Sequence, residues 1–407
     1  MRIYFLVFTL LFLASTRLHA EIIDVQNVAS HKLLNSSVTY LQNSHADMEI
    51  ADVINLPETS TWLSFNDTNP TAKKPTSPIW IKVTLQNTLE NQANYLIELP
   101  YLAFNSVELY HLNNKQRLLA NYIMGHELPF SSKPIAHRNY VFPALLPSHS
   151  TTDIFIRLSD HKQLNTPIVL WHEKAFWDHA DTEIALNMTY FFVIGLMILL
   201  TLWNTAFKPN TPTYLYLGVL LTPLVILLTI EGYGIQYLWP DAPEWNNNCL
   251  ASLIPAAIIF SYLFISIVFN YPYKNRLMPT LLLISTIINV FLLGISLIVD
   301  GLTAITLNLA SASIFIGLFL KLTFDFWYDL SHKNKIYSLG FLWLTMSYLL
   351  YLLGLGDSIT LIPITEITLK IGLLIFTFCF LRAQKSAKLM ANKDRTHYTI
   401  MGINFFP

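Results

Sequence analysis

The sequence predicts a periplasmic all-β sandwich or jelly roll followed by an all-α bundle of seven transmembrane helices. Three observations carry that expectation. Hydrophobicity alternates with a period of two from Glu21 to about Thr166. The chain then becomes a succession of apolar stretches long enough to cross a bilayer. Lysine and arginine, finally, fall on only one side of those stretches. Composition agrees: 53% of the 407 residues are hydrophobic and 13% charged, where a soluble domain carries about 25% charged residues. A net charge of −1 leaves no basic excess and argues against nucleic acid as a partner.

Residues 1–20 read as a signal peptide. Arg2 supplies the positive end, Ile3 to Ala14 the short apolar run, and Leu18-His19-Ala20 a small residue at the cleavage point. An uncleaved anchor is the rival reading, but the run falls short of the roughly 20 apolar residues a spanning helix needs. Export to the periplasm follows from either.

The β-domain is expected over 21–175. Ile79, Ile81, Val83 and Leu85 share one face of a strand, and Trp80, Lys82, Thr84 and Gln86 the other. Val107, Leu109 and His111 oppose Glu108 and Tyr110; Ile154, Ile156 and Leu158 oppose Phe155 and Arg157. Shorter strands are expected near Val38 to Leu41, Trp62 to Phe65, Tyr95 to Leu99 and Ile168 to His172. Turn-forming clusters at Asn66 to Pro70, Leu112 to Lys115, Ser131 to Pro134 and Pro147 to Ser150 separate the runs. Both cysteines, Cys249 and Cys379, lie in apolar stretches, so the β-domain is not disulfide-stapled and has no zinc-ribbon motif.

A connector over 176–185 is expected to lead into the helical domain, 186–383, and a short cytoplasmic tail, 384–407. The seven helices are placed at about 186–207, 213–230, 250–269, 278–299, 302–324, 336–355 and 363–381. Pro279 and Pro363 suit first turns, whereas Pro223 and Pro255 should kink the helices that hold them. With the β-domain outside, the inner face carries Lys208, Lys274, Arg276, Lys333, Lys335, Arg382, Lys385, Lys388, Lys393 and Arg395. The loops around 231–248, 300–301 and 356–362 carry no lysine or arginine. The bias orients a multi-pass protein of the bacterial inner membrane with its C-terminus in the cytoplasm.

The order of these parts resembles the bacterial seven-transmembrane receptors with diverse intracellular signalling modules. The stretch Ile79 to Asn87, IWIKVTLQN, is similar to that family's signature of a tryptophan, a strand and an asparagine. It is followed in order by Glu98-Leu99, Val107 to Tyr110, Met124-Gly125, Lys133 to Ile135 with Arg138, Val141 to Pro143 and Ile156 to Leu158. Tyr190 to Phe192, Gly195, Trp203-Asn204 and the loop Glu231 to Pro240 continue the match. The resemblance implies a receptor whose β-domain is a carbohydrate-binding-like jelly roll sensing a small periplasmic ligand. Where such receptors continue into a kinase, cyclase or phosphatase domain, about 26 residues follow Leu381 here. The expected output is therefore a cytoplasmic kinase or cyclase partner acting in trans, with a homodimer and the lipid bilayer as further partners. A truncated gene is the other reading of the short tail.

Sugar recognition needs flat aromatic faces and fixed polar groups, which makes Trp80, Arg138, Tyr140, Arg157 and Trp171 the candidate ligand-binding residues. Their plainer role is to fill the outer sheet faces and cap strand ends. His111, His126, His137, His161 and His172 are candidates for pH sensing. No pair of them has metal-ligand spacing, so no metal is expected, and no cofactor motif is present. In the membrane Glu366 and Lys370, four apart on the last helix, form a polar pair that reads either as a switch or as an ion pair with a snorkelling lysine. No catalytic motif is found, and no enzyme activity is expected. The alternative to a receptor is a transport or enzyme-accessory protein with a periplasmic binding domain.

Overall fold

The computed structural model describes residues 22–41, 47–56, 62–64, 78–100, 104–159, 167–207, 211–268, 277–299, 301–325, 327–328, 330–357 and 367–384. The expected signal peptide, the Asn66 to Pro70 turn, His161, Glu366 and the tail beyond Gln384 lie outside them. The chain divides into two compact units, Met1–Asp181 and Thr182–Pro407.

The first unit is a two-sheet sandwich. Its strands are β1 (Ile23–Asp24), β2 (His31–Leu33), β3 (Thr39–Leu41), β4 (Trp62–Ser64), β5 (Ile79–Asn87), β6 (Ala93–Leu99), β7 (Ser106–Asn113), β8 (Leu118–Met124), β9 (Tyr140–Leu146), β10 (Ser150–Ser159) and β11 (Val169–His172). One sheet runs β4-β3-β5-β10-β7-β8, with β1 alongside β5; the other runs β2-β11-β6-β9. From β5 onward the chain changes sheet at every connection except the β7–β8 hairpin. The alternation read from the sequence is what closes this core. Ile79, Ile81, Val83 and Leu85 meet Val107, Leu109, Ile154, Ile156 and Leu158 in one sheet and Ile97, Leu99, Phe142 and Leu146 from the other.

Asn87 locks the end of β5. Its side-chain amide donates to the carbonyls of Asn91 (3.0 Å), Leu146 (3.0 Å) and Pro147 (2.9 Å), and its oxygen accepts from the Leu89 amide (3.0 Å). One buried amide thus ties three chain segments together. That gives the asparagine closing the IWIKVTLQN stretch a physical reason. A short helix α1 (Ile50–Ile54), capped by reciprocal Glu49 and Asp52 hydrogen bonds, packs Val53 onto the outer face of the larger sheet beside Trp80 and Phe155.

The helices that follow are α2 (Glu173–Phe207), α3 (Thr211–Ile230), α4 (Pro243–Val268), α5 (Leu277–Ile295), α6 (Gly301–Asp325) and α7 (His332–Asp357). A seventh, α8 (Ile367–Gln384), completes the set. Six of them, all but α7, are long and apolar enough to cross a membrane over their described residues. Their outward side chains are apolar, with Phe192 70%, Phe291 70% and Phe324 83% exposed, the reverse of a water-soluble bundle. The stretch 176–185, expected as a connector, is part of α2: from Glu173 no glycine or proline interrupts the helix before Gly195. At 35 residues α2 is about 52 Å long, well beyond the roughly 30 Å of a bilayer core. A search by apolarity finds only its last two-thirds.

Pro223 and Pro255 lie inside α3 and α4 as expected. Pro255 has no N–H to offer the Ala251 carbonyl one turn earlier. That carbonyl instead accepts from Ser296 Oγ (3.0 Å) and from Asn308 Nδ2 on α6 (2.6 Å). Several hydroxyls elsewhere in the helices turn back on their own backbone. Thr201, Thr222, Thr229, Thr286, Ser347 and Thr377 each donate to the carbonyl four residues earlier.

Candidate functional site

The five candidate ligand residues do not converge: Trp80 and Arg157 lie on the larger sheet, Tyr140 and Trp171 on the smaller, and Arg138 in the loop before β9. On the outer face of the larger sheet, β5, β10 and β7 bring Trp80, Arg157 and Glu108 into one row, since Arg157 pairs in register with both of the others. The Arg157 guanidinium donates to Glu108 at 2.5 Å and lies 6.0 Å from the Trp80 ring centroid. Tyr110 donates its hydroxyl to the other Glu108 oxygen at 2.7 Å, and its ring lies 5.8 Å from that of Trp80. Burial first, and then the Glu108 carboxylate, push the Tyr110 phenol up to about 12. A second row repeats the arrangement. Lys82 pairs with Asp153 at 3.0 Å over the Phe155 ring, and Thr84 donates to Asp153 at 2.6 Å. Trp80 itself is fully buried, and its indole N–H has no partner among the described residues.

On the smaller sheet, Glu98 of β6 accepts from Asn139 Nδ2 (2.7 Å) with one oxygen and from the Trp171 indole (2.7 Å) with the other. Trp171 lies between two imidazoles, His31 at 4.7 Å and His179 at 5.0 Å between centroids. Tyr140 points into the sandwich core, with Lys133 Nζ 4.9 Å above its ring. That Nζ donates to the carbonyls of His137 (3.0 Å), Arg138 (2.6 Å) and Asn139 (3.4 Å), so Lys133 cinches the loop that leads into β9. Burial, aided by the neighbouring Arg138 charge, lowers Lys133 to about 7. The same loop buries His137, which desolvation, then Arg138, Lys133 and His179, depress to about 4. His111 faces the core and is lowered by burial; His126 Nδ1 pairs with the Phe104 carbonyl; His172 packs edge-on to Tyr95. These histidines do not converge. Among the described residues no group of three or more His, Cys, Asp or Glu could hold a metal ion.

In the helical unit a buried polar cluster forms around Lys370. Lys370, four residues into α8, is 2.8 Å from Glu231 and donates to Asn187 Oδ1 on α2 at 2.7 Å. Asn187 Nδ2 in turn donates to the Tyr233 hydroxyl (2.9 Å), and the Tyr190 ring lies 6.0 Å from the ammonium. The sequence marked Lys370 but not Glu231 or Asn187. Glu231 directly follows the last residue of α3, and Lys370 is near the first residue of α8. In antiparallel helices those positions lie at one depth, and counting residues from the helix ends is the signal that would have found the pair.

Two family models match the chain. "7TMR-DISM extracellular 2" covers residues 35–172 and "7TM diverse intracellular signalling" residues 183–383. No curated protein matches. The first match covers the sandwich from β3 to β11 and the second the helical unit, including all of its polar cluster. The chain therefore belongs to the seven-transmembrane receptors with diverse intracellular signalling, membrane sensors that join an extracellular domain to a seven-helix domain.

Proposed function

We propose that the sandwich binds a small polar ligand, a carbohydrate in chemical class, on the outer face of its larger sheet, and that the seven helices relay binding to a cytoplasmic partner in trans. The observation that carries this reading is the Arg157 row. A guanidinium is fixed by Glu108 on one side and the Trp80 face on another, with Tyr110, Lys82 and Asp153 beside it as alternating donors and acceptors. Fixed polar groups set among aromatic rings suit hydroxyls on a flat sugar face. Arg157 and Glu108 keep 21% and 14% of their side-chain surface exposed, enough for a ligand to reach them. The lysine and arginine bias supports a periplasmic sandwich and a cytoplasmic C-terminus.

The test is a thermal-shift series on the full chain in mild detergent against soluble mono- and oligosaccharides. A saccharide that raises the unfolding temperature of the wild type should lose that effect in Arg157→Lys and Tyr110→Phe. An undiminished shift in both variants would remove this face from the proposal. For the relay, the tagged full chain is compared with one ending after Leu381: recovery of a kinase or cyclase with the full chain alone supports a partner in trans, and identical recoveries refute docking through the tail.

A further inference from the structure

The first two turns of α2 belong to the sandwich. Phe176 and Ala180 are buried with Leu96, Val141 and Trp171 of the smaller sheet, and His179 stacks on the Trp171 ring at 5.0 Å. A sheet thus seats the start of the helix that continues into the second unit. Against this seat lies His137, 3% exposed, whose ring makes a T-shaped contact with Phe176 at 5.2 Å between centroids.

Hydrogen bonding fixes the state of that imidazole. The Asn139 backbone N–H donates to His137 Nδ1 at 3.2 Å, so Nδ1 offers its lone pair and Nε2 carries the proton. Nε2 is buried with no partner among the described residues. A second proton can go only to Nδ1, where it would meet the Asn139 N–H donor against donor. The Asn139 side chain in turn holds Glu98, and Glu98 holds the Trp171 indole against which α2 packs. The charges around the ring offer a new cation no relief. The loop before β9 sets Lys133 and Arg138 beside it, and α2 adds His179. Both oxygens of the buried Glu98 carboxylate are already engaged. The first turns of α2 also carry Glu173, Lys174, Asp178 and Asp181, all exposed. His31 of β2 and His179 face the Trp171 ring, which attracts a positive charge, so they oppose the effect rather than cause it.

We propose that His137 is an acid-released latch: its protonation breaks the Asn139 contact and frees the first two turns of α2 from the smaller sheet, so that acidity around the sandwich is read by the helix entering the second unit. This does not depend on the ligand face of the larger sheet. Burial, then Arg138, Lys133 and His179, keep the docked imidazole neutral to about pH 4, against 6.5 when free. The undocked form binds more protons between those values, so docking weakens as pH falls through them, on the order of 20-fold from pH 7 to pH 5.

The test labels cysteines introduced into the full chain in nanodiscs with a soluble thiosulfonate at pH 7, 6 and 5, over the background of the two native cysteines. Ala180→Cys reports the seat, and exposed Lys174→Cys corrects for the reagent's own pH dependence. Ala144→Cys, 3% exposed on β9, reports opening of the whole sandwich. The corrected Ala180→Cys rate should rise on the order of 20-fold from pH 7 to pH 5 while Ala144→Cys stays protected. His137→Asn keeps an acceptor for the Asn139 N–H without titrating, and His137→Leu has neither property. Each should abolish the rise, protection of Ala144→Cys at pH 7 being the check that the sandwich has folded. A rate indifferent to pH, a rise that persists without His137, or Ala180→Cys and Ala144→Cys opening together would each overturn the proposal.

Discussion

Lys370 of α8 and Glu231 at the end of α3 stand 2.8 Å apart, with the glutamate side chain fully buried. The Glu231 carboxylate is out of reach of solvent while Lys370 keeps 18% of its side-chain surface exposed, so removal of the lysine takes away the cation beside a buried charge. Lys370→Met is expected to destabilise the helical unit by about 3–5 kcal/mol, while Lys370→Met combined with Glu231→Leu recovers most of that loss. Unfolding of the full chain in bicelles checks both. A double variant as unstable as the single one would show that packing, not charge, is the issue.

The Ala251 carbonyl freed by Pro255 predicts a coupling between helices. Asn308→Ala should cost about 0.6–1.7 kcal/mol in the wild type, the range of hydrogen bonds between membrane helices. In a Pro255→Ala background the restored N–H reclaims the Ala251 carbonyl within α4, and the cost of Asn308→Ala should shrink. A double-mutant cycle on unfolding free energies measures the difference.

Stability of the sandwich should rise from acid to alkaline pH. His137 titrates near 4 when folded and near 6.5 when unfolded, so the unfolded chain binds more protons between those values and stability falls as pH drops through them. His111, also lowered, acts in the same direction. Lys133 is folded near 7 against 10.5 unfolded, so stability climbs again across that upper window. Pulse proteolysis of the full chain from pH 4 to 10 should show both limbs. His137→Gln should flatten the acid limb and Lys133→Met the alkaline one.

Asn87 offers a graded test of the sandwich. Asn87→Ala leaves the Leu146 and Pro147 carbonyls short of a donor and should cost about 1–3 kcal/mol. Asn87→Asp should cost more, because a carboxylate would face those same carbonyls. Thermal unfolding followed by tryptophan fluorescence ranks the two.

The parts of this fold legible in the sequence were those governed by a one-dimensional period. The faces of β5, β7 and β10 and the interior positions of Pro223 and Pro255 follow from residue spacing alone. β8 and β9 escaped because Leu118-Leu119 and Val141-Phe142-Pro143 do not alternate. One is an edge strand with apolar residues on both faces, and the other is a strand buried on both faces around a proline. In the candidate site, residue type pointed to Trp80 and Arg157 but could not reveal Glu108 and Tyr110 as the groups that hold the guanidinium. Nor could it show that Tyr140 faces the core. Those are cross-strand relations, fixed by register. The partners of Lys370 were hidden for the same reason: Asn187 and Glu231 are remote in sequence and meet it only through helix packing.

The back-bonded hydroxyls of the helices have a consequence for how this bundle can change over evolutionary time. A threonine whose proton is spent on its own helix says nothing about which neighbour it meets, so helix surfaces bearing Thr222 or Thr286 can slide or be repacked with apolar substitutes. Specific alignment then rests on side chains that reach across, among them Asn187, Lys370, Thr229 to Cys249, Gln384 to Thr213, Asn289 to Ser311 and Asn308 to Ala251. Sequence drift should be broad everywhere in the bundle except at those few positions, which act as the pins of its register.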